Sequence, residues 1–280
     1  MNKIYLIASI LFINMVFAKD NDRLVTVGGS VTETVFKLGA GDLVVAVDQS
    51  SIIPQKVKDL PQVGYIRAIS SEGILSMNPT KILTTNEIGP QKVINKIVDS
   101  GTNIKIFDSP KTFDEILNLV TEVSLFLGLD DRGIVIKNNL LELDAKVKEQ
   151  NKKILHKPKI IFFMNPSKNA YTAAGANTRA DYLIDYIGGM NVFSGDFNRY
   201  NNVTKENIIN YNPDIILVGY INNDNKKEVV DLFMNSNKFN SINAVSNNKV
   251  FDVSVGEILN FGPSFVSSSF KLINRINDQK

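Results

Sequence analysis

The segment Val63 Gly64 Tyr65 Ile66 Arg67 places a tyrosine two residues from an arginine, between a Pro-containing loop and a helix start near Ser70. A phenolate is a hard anionic oxygen ligand, and a nearby cation favours it over the neutral phenol. Tyr65 is therefore the first candidate for holding a ligand by direct bonding, with Arg67 as its supporting charge. In an extended segment residues two apart point to the same side, so both side chains can face one surface. The competing reading is structural: a packed ring with a cation over its face.

Other chemistries are poorly supplied. The chain has one histidine and no cysteine, so capture of zinc or manganese by a cluster of such ligands is impossible. There is no G-x-S-x-G element, and a Ser-His triad would have to use His156, which reads as a surface or linker residue beside Lys157 and Pro158. Gly39 Ala40 Gly41 lacks the third glycine and acidic partner of a dinucleotide fingerprint, and no P-loop exists. No acid–base constellation points to an enzyme.

Residues 1–18 read as a secretory signal peptide. Lys3 precedes an apolar run from Ile4 to Phe17, broken only by Ser9 and Asn14, with Val16 and Ala18 as the small residues before cleavage. The run is too short for a membrane span, and no later stretch reaches the roughly 18 apolar residues that one needs. With no cysteine there is no lipid-attachment site and no disulfide. The expectation is a soluble monomer diffusing in a periplasm. The chain carries 31 Lys and Arg against 29 Asp and Glu, a formal charge of +2, which does not suggest nucleic acid or anionic membrane as a partner.

Short β-rich runs alternate with helical patterns along the whole chain, which predicts an α/β fold of two Rossmann-like lobes with parallel sheets. Strands are expected at 24–27, 43–47, 81–84 and 103–107, then at 159–164, 214–218 and 249–253. Ser30 with Glu33, and Thr112 with Glu115, have the spacing of capping boxes. Residues 130–155, free of Gly and Pro after Gly133, read as one long helix joining an N-terminal lobe (19–129) to a C-terminal lobe (156–280). A single stiff connection restricts hinge motion and places a ligand cleft between the lobes.

The lobes share a short pattern. Ser71 Glu72 Gly73 Ile74 Leu75 precedes Asn78 Pro79, and Lys205 Glu206 Asn207 Ile208 Ile209 precedes Asn212 Pro213. Each glutamate sits in the first turn of a short helix, where a carboxylate is favourable without any partner. Their matched placement also suits two acidic knobs docking on a two-fold symmetric partner.

Gly28 Gly29 Ser30 with Thr32 Glu33, Leu38 Gly39 Ala40 Gly41 Asp42, Leu60 to Arg67, and Ser71 to Ser76 together resemble the periplasmic haem-binding proteins of bacterial haem-uptake ABC transporters. Ala173 Ala174 Gly175, Asn177 Thr178, Asp181, Gly188 to Asn191 and Asn212 Pro213 Asp214 continue the likeness through the second half. The glycines and Asn-Pro elements are shared with siderophore and cobalamin binders of that fold, whereas the Gly-Tyr-x-Arg segment looks specific to haem. The resemblance implies a rigid two-lobed, non-enzymatic shuttle that takes ferric haem from an outer-membrane receptor to an inner-membrane permease. Tyr65 would be the axial ligand, supported by Arg67, with Glu72 and Glu206 docking on the permease. Tyr171 could stack on the porphyrin or ligate it. Arg179, Lys168, Asn177 and Thr178 are the candidates for the propionates. No histidine stands in the loop Met164 to Asn169, so five-coordinate haem, or haem with water in the sixth position, is expected. The alternatives are a binder of a ferric siderophore or corrinoid and, from another class, a periplasmic chelatase.

Overall fold

The computed structural model describes residues 22–168, 170–221 and 225–278. The signal-peptide reading and the cleavage after Ala18 lie outside them. Leu24 Val25 Thr26 Val27 form β1 (Leu24–Val27), buried at every position, as expected of a strand covered on both faces. It is followed by α1 (Gly29–Lys37), β2 (Val44–Val47), α2 (Ser71–Leu75), β3 (Lys81–Thr85), α3 (Gln91–Asp99), β4 (Asn103–Phe107) and α4 (Phe113–Leu127). The four strands pair in the order β2-β1-β3-β4, all parallel.

After α5 (Asp130–Asn151) come β5 (Lys159–Met164), β6 (Tyr171–Ala174), α6 (Arg179–Tyr186), β7 (Met190–Asn191), β8 (Tyr200–Val203), α7 (Lys205–Tyr211) and β9 (Ile215–Tyr220). The chain ends through α8 (Lys226–Met234), α9 (Asn243–Ser246), β10 (Val250–Ser254), α10 (Val255–Leu259) and α11 (Ser264–Asp278). The second sheet runs β10-β9-β5-β6-β8, with β7 beside β5. It departs from the all-parallel expectation, because β6 is antiparallel to both β5 and β8. Tyr171 Thr172 Ala173 Ala174 and Tyr200 Asn201 Asn202 Val203 carry too much Ala and Asn to read as strands. β8 is an exposed edge, where little hydrophobic patterning is required.

The long connecting helix forms, ending at Asn151 rather than at 155. At 22 residues α5 spans about 33 Å and is tied to both lobes. Arg132 donates to the Leu38 carbonyl at 2.9 Å, and Asn151 donates to the Tyr186 carbonyl at 2.8 Å. The Tyr186 hydroxyl donates to Asp144 at 2.9 Å. One apolar core runs from Phe113, Ile116 and Val120 of α4 and Leu140 and Val147 of α5 into Phe162, Leu183, Phe261 and Phe265 of the second lobe. The lobes therefore share a core as well as a linker.

Thr112 caps α4 by accepting from the Glu115 amide, and the helix ends at left-handed Gly128, but the expected capping box forms only by half, since the Glu115 carboxylate accepts the Lys111 amide instead. The capping box at Ser30 and Glu33 does not form. The helix already begins at Gly29, with Gly28 at φ 109, so Ser30 lies inside it. Glu33 crosses between the lobes instead and accepts the backbone amide of Ser264, which opens α11, at 2.5 Å. Its second oxygen is buried without a partner among the described residues, against Gly262, where a Cβ would overlap it.

Burial pushes the Glu33 carboxyl up to about 7, with the Ser264 contact and Lys37 pulling the other way and Glu257 adding to the rise. The folded protein thus keeps this proton where an unfolded glutamate, at 4.5, has lost it, so stability falls as pH rises from about 4.5 to 7. Glu33→Gln should remove that slope, which is worth on the order of 3 kcal/mol for a fully buried group. Denaturant unfolding at pH 5 and pH 7.5 should show the variant gaining on the wild type at the higher pH; parallel behaviour would contradict the assignment.

Candidate functional site

A cleft of about 1400 Å³ opens between the lobes beyond the carboxyl ends of β1, β3, β5 and β10. That is where open α/β sheets bind ligands. It exceeds the roughly 300–1000 Å³ of ordinary small-molecule pockets. Its N-lobe wall begins at Gly28, whose left-handed backbone leaves room beside Ile66 and Thr85. Asp48, fully buried, holds this wall by accepting from the Gly28 amide (2.8 Å), the Ser50 amide (3.0 Å) and hydroxyl (2.6 Å), and the Ser51 hydroxyl (2.6 Å). Asn260 donates across the lobes to the Ser50 carbonyl at 3.1 Å. The Thr85 hydroxyl is buried on the same wall and has no described partner.

Tyr65 and Arg67 both line the cleft. The extended segment expected there stops at Tyr65 (φ −92, ψ 133), because Ala68 donates back to the Tyr65 carbonyl at 2.8 Å and closes a tight turn over Ile66–Ala68. That turn buries Ile66 and leaves its two neighbours on the cleft side. Tyr65 is 46% exposed, and no described residue hydrogen-bonds its hydroxyl. The other two tyrosines on the cleft differ. The Tyr182 hydroxyl accepts from the Phe113 amide, and burial raises its phenol. Tyr200 keeps about a third of its surface exposed, and burial pushes its phenol up to about 12 against the pull of Arg179, the Ala180 amide and the Thr178 side chain. Tyr65 is the most exposed of the three cleft phenols.

Arg67 is not a free cation. It pairs with Glu87 at 2.9 Å, and Glu87 also meets Arg179 of the opposite lobe at 3.4 Å. Burial alone would raise the Glu87 carboxyl, but Arg179 and then Arg67 outweigh it and hold it below the usual carboxylate range. Arg179 donates further to the Ser109 hydroxyl (2.6 Å) and the Leu259 carbonyl (3.3 Å), so it ties the lobes together across the cleft.

Asn177, Thr178 and Arg179 reach the cleft, but Thr178 is occupied in capping α6. Tyr171 does not reach it. It is 7% exposed and packed among Phe163, Phe233 and Phe239, because β6 turns it into the second lobe's core. Lys168 faces a separate surface hollow with Asn165 and Glu228. His156 is exposed in the loop after α5. Glu72 and Glu206 are exposed, one per lobe, and each is held below the usual carboxylate range first by its own backbone amide in the opening turn of its helix. The Asn-Pro elements match in conformation too, with Asn78 at φ 47 and Asn212 at φ 45. Glu87, Lys111, Arg199, Tyr200 and Asn260 were not singled out from the sequence. Glu87 had a signal, since it follows β3 directly, at the strand end where such clefts form.

Among the described residues no group of His, Cys, Asp and Glu could hold a metal ion, and no helix is long and apolar enough to cross a membrane. Two α/β lobes on a stiff helix, with a ligand cleft at their strand ends, define a two-lobed binding protein. The chain matches the periplasmic binding protein family over residues 24–254, and it belongs to that family, which supplies substrate-binding components of ABC transporters. The periplasmic haem-binding protein RhuT of Roseiflexus sp. RS-1 is similar in structure, with a TM-score of 0.82 and 26% identity over 92% of this chain and 98% of that one. The haem-binding protein HutB of Vibrio cholerae has a TM-score of 0.77 and 26% identity, over 92% of this chain and 98% of HutB. The vitamin B12-binding protein of Vibrio parahaemolyticus is 24% identical over 221 residues, 77% of this chain and 78% of that one.

Proposed function

We propose that this protein binds ferric haem in the inter-lobe cleft and delivers it to an inner-membrane ABC permease, after receiving it from an outer-membrane haem receptor system. The observation that carries the reading is Tyr65, an exposed phenol on the cleft wall with no described hydrogen-bond partner. A tyrosinate is an established axial ligand of haem iron. Arg67 lies on the same wall, where it pairs with Glu87. Iron is thus held from one side, with water or nothing in the sixth position. Haem is cargo in this reading, and no step of it is catalytic.

The second reading is a corrinoid, favoured by the vitamin B12-binding relatives. The two separate on Tyr65. Ferric haem added to the purified protein should give a tyrosinate-type high-spin spectrum. Tyr65→Phe and Tyr65→Ala should abolish it and weaken binding at least tenfold, about the loss of one strong ligand interaction, while His156→Ala should keep it. An unchanged spectrum in Tyr65→Phe would sink the ligation by Tyr65, and a wild type that binds no haem would sink the haem reading.

Glu72 and Glu206 are proposed to dock on the permease, one per lobe. The double variant Glu72→Ala Glu206→Ala should still bind haem yet fail to stimulate permease ATPase activity. Full stimulation would refute the docking role.

A further inference from the structure

The segment from Leu259 to Ser264 joins α10 to α11 and straps the C-terminal lobe onto the start of α1. Its near end is at the cleft. Asn260 lines the cleft wall, donates to the Ser50 carbonyl at 3.1 Å and lies over Gly29, where a Cβ would overlap it. Its far end is gripped by Glu33, which accepts from the Ser264 amide at 2.5 Å and sets its second oxygen against Gly262. Gly29 and Glu33 are four residues apart and share one face of α1, so both ends of the strap hold the same helix.

Two features show that the strap is held under tension. Phe261, fully buried at its middle, has a φ of 53, a left-handed backbone that is rare for a bulky aromatic and persists only where the surroundings enforce it. The second Glu33 oxygen is buried with no partner among the described residues, so a charge there would have only the Ser264 amide to answer it. The charged groups that bear on Glu33 are Lys37, on its own helix, and Glu257 of α10, which accepts from the Ser268 hydroxyl of α11 at 2.8 Å. The other elements packed on α1, namely β1, β3 and α4, meet it through Leu24, Leu83, Leu119 and Val123.

We propose that the strap is a proton-operated latch on the cleft: a neutral Glu33 keeps it clamped with Asn260 bracing the wall, and ionisation of Glu33 draws the carboxylate toward water, lifts Gly262 and Ser264 and frees Asn260 from Ser50. The pH window follows from the two environments of the carboxyl. In the clamped form burial holds the proton up to about 7, whereas a solvated glutamate loses it near 4.5. Release is therefore favoured increasingly as pH rises from 4.5 to 7 and gains nothing further above that. The cleft wall is firmest in acid and loosest at neutral pH. The Phe261 ring stays in the apolar core shared by the lobes, so the change is a local release of polar contacts. The latch operates whichever ligand the cleft takes.

Amide hydrogen exchange of the ligand-free protein, followed by mass spectrometry from about pH 5 to about pH 8 and corrected for the intrinsic pH dependence of exchange, tests this. In the wild type, protection of residues 259–265 should fall about tenfold or more over that range. The α1 opening at 28–32, on the cleft wall, should follow the same course, while β9 should not. Glu33→Gln keeps an acceptor for Ser264 without a titrating group, so its strap should show no pH dependence. A flat course at 259–265 in the wild type would overturn the proposal whether or not the variant folds. Parallel courses in the wild type and Glu33→Gln would overturn the role of Glu33, and a loosened strap with 28–32 unmoved would overturn its link to the cleft. Equal loosening of β9 would show a global loss of stability in place of a latch. With no ligand added, none of these outcomes bears on the haem reading.

Discussion

A binding cleft between two lobes depends on the lobes keeping their separation, and here a shared apolar core enforces it. Phe113, Ile116 and Val120 of the first lobe are buried with Phe261, Phe265 and Leu183 of the second, so swinging the lobes apart would expose this surface. Exposing apolar area costs about 25 cal/mol per Å², which makes a wide hinge opening unfavourable. Polar ties run over the same seam, from Glu33 to the start of α11, from Asn260 to Ser50 and from Arg179 to Ser109. The cleft is consequently pre-formed, and a rigid planar ligand finds its walls already in place with little ordering cost.

The charges within the cleft divide by what they already hold. Arg67, Glu87 and Arg179 satisfy one another across the lobes, so their net effect is structural cohesion. Lys111 and Arg199 line the same cleft without a side-chain partner among the described residues. This division explains why an arginine next to a tyrosine in sequence is not by itself a free cation: its partner, Glu87, lies 20 residues further on and is brought to it by β3.

The fold was largely legible because its elements obey strong local rules. Buried parallel strands are apolar runs, and the long helix between the lobes lacks breakers after Gly133, so both could be read directly. The failures have physical causes. β6 and β8 are short and rich in Ala and Asn, and only pairing with β5 makes them strands. Glu33 has the spacing of a local cap, yet a buried helix start in the other lobe competes for its carboxylate. In the site, Tyr65 and Arg67 were found because they lie in one short segment, whereas Glu87, Lys111, Arg199 and Tyr200 come from separate loops that only the tertiary structure converges. Tyr171 was assigned to the cleft from its loop position, and the alternation of β6 instead turns it into the core.

The central claim is that one phenol, exposed on one wall, carries the iron. A crystal structure of the protein with ferric haem tests it most directly. The account predicts a bond from iron to the phenolate oxygen of Tyr65 and no protein ligand on the opposite face; iron ligated by another residue, or a ligand seated without contact to Tyr65, would contradict it.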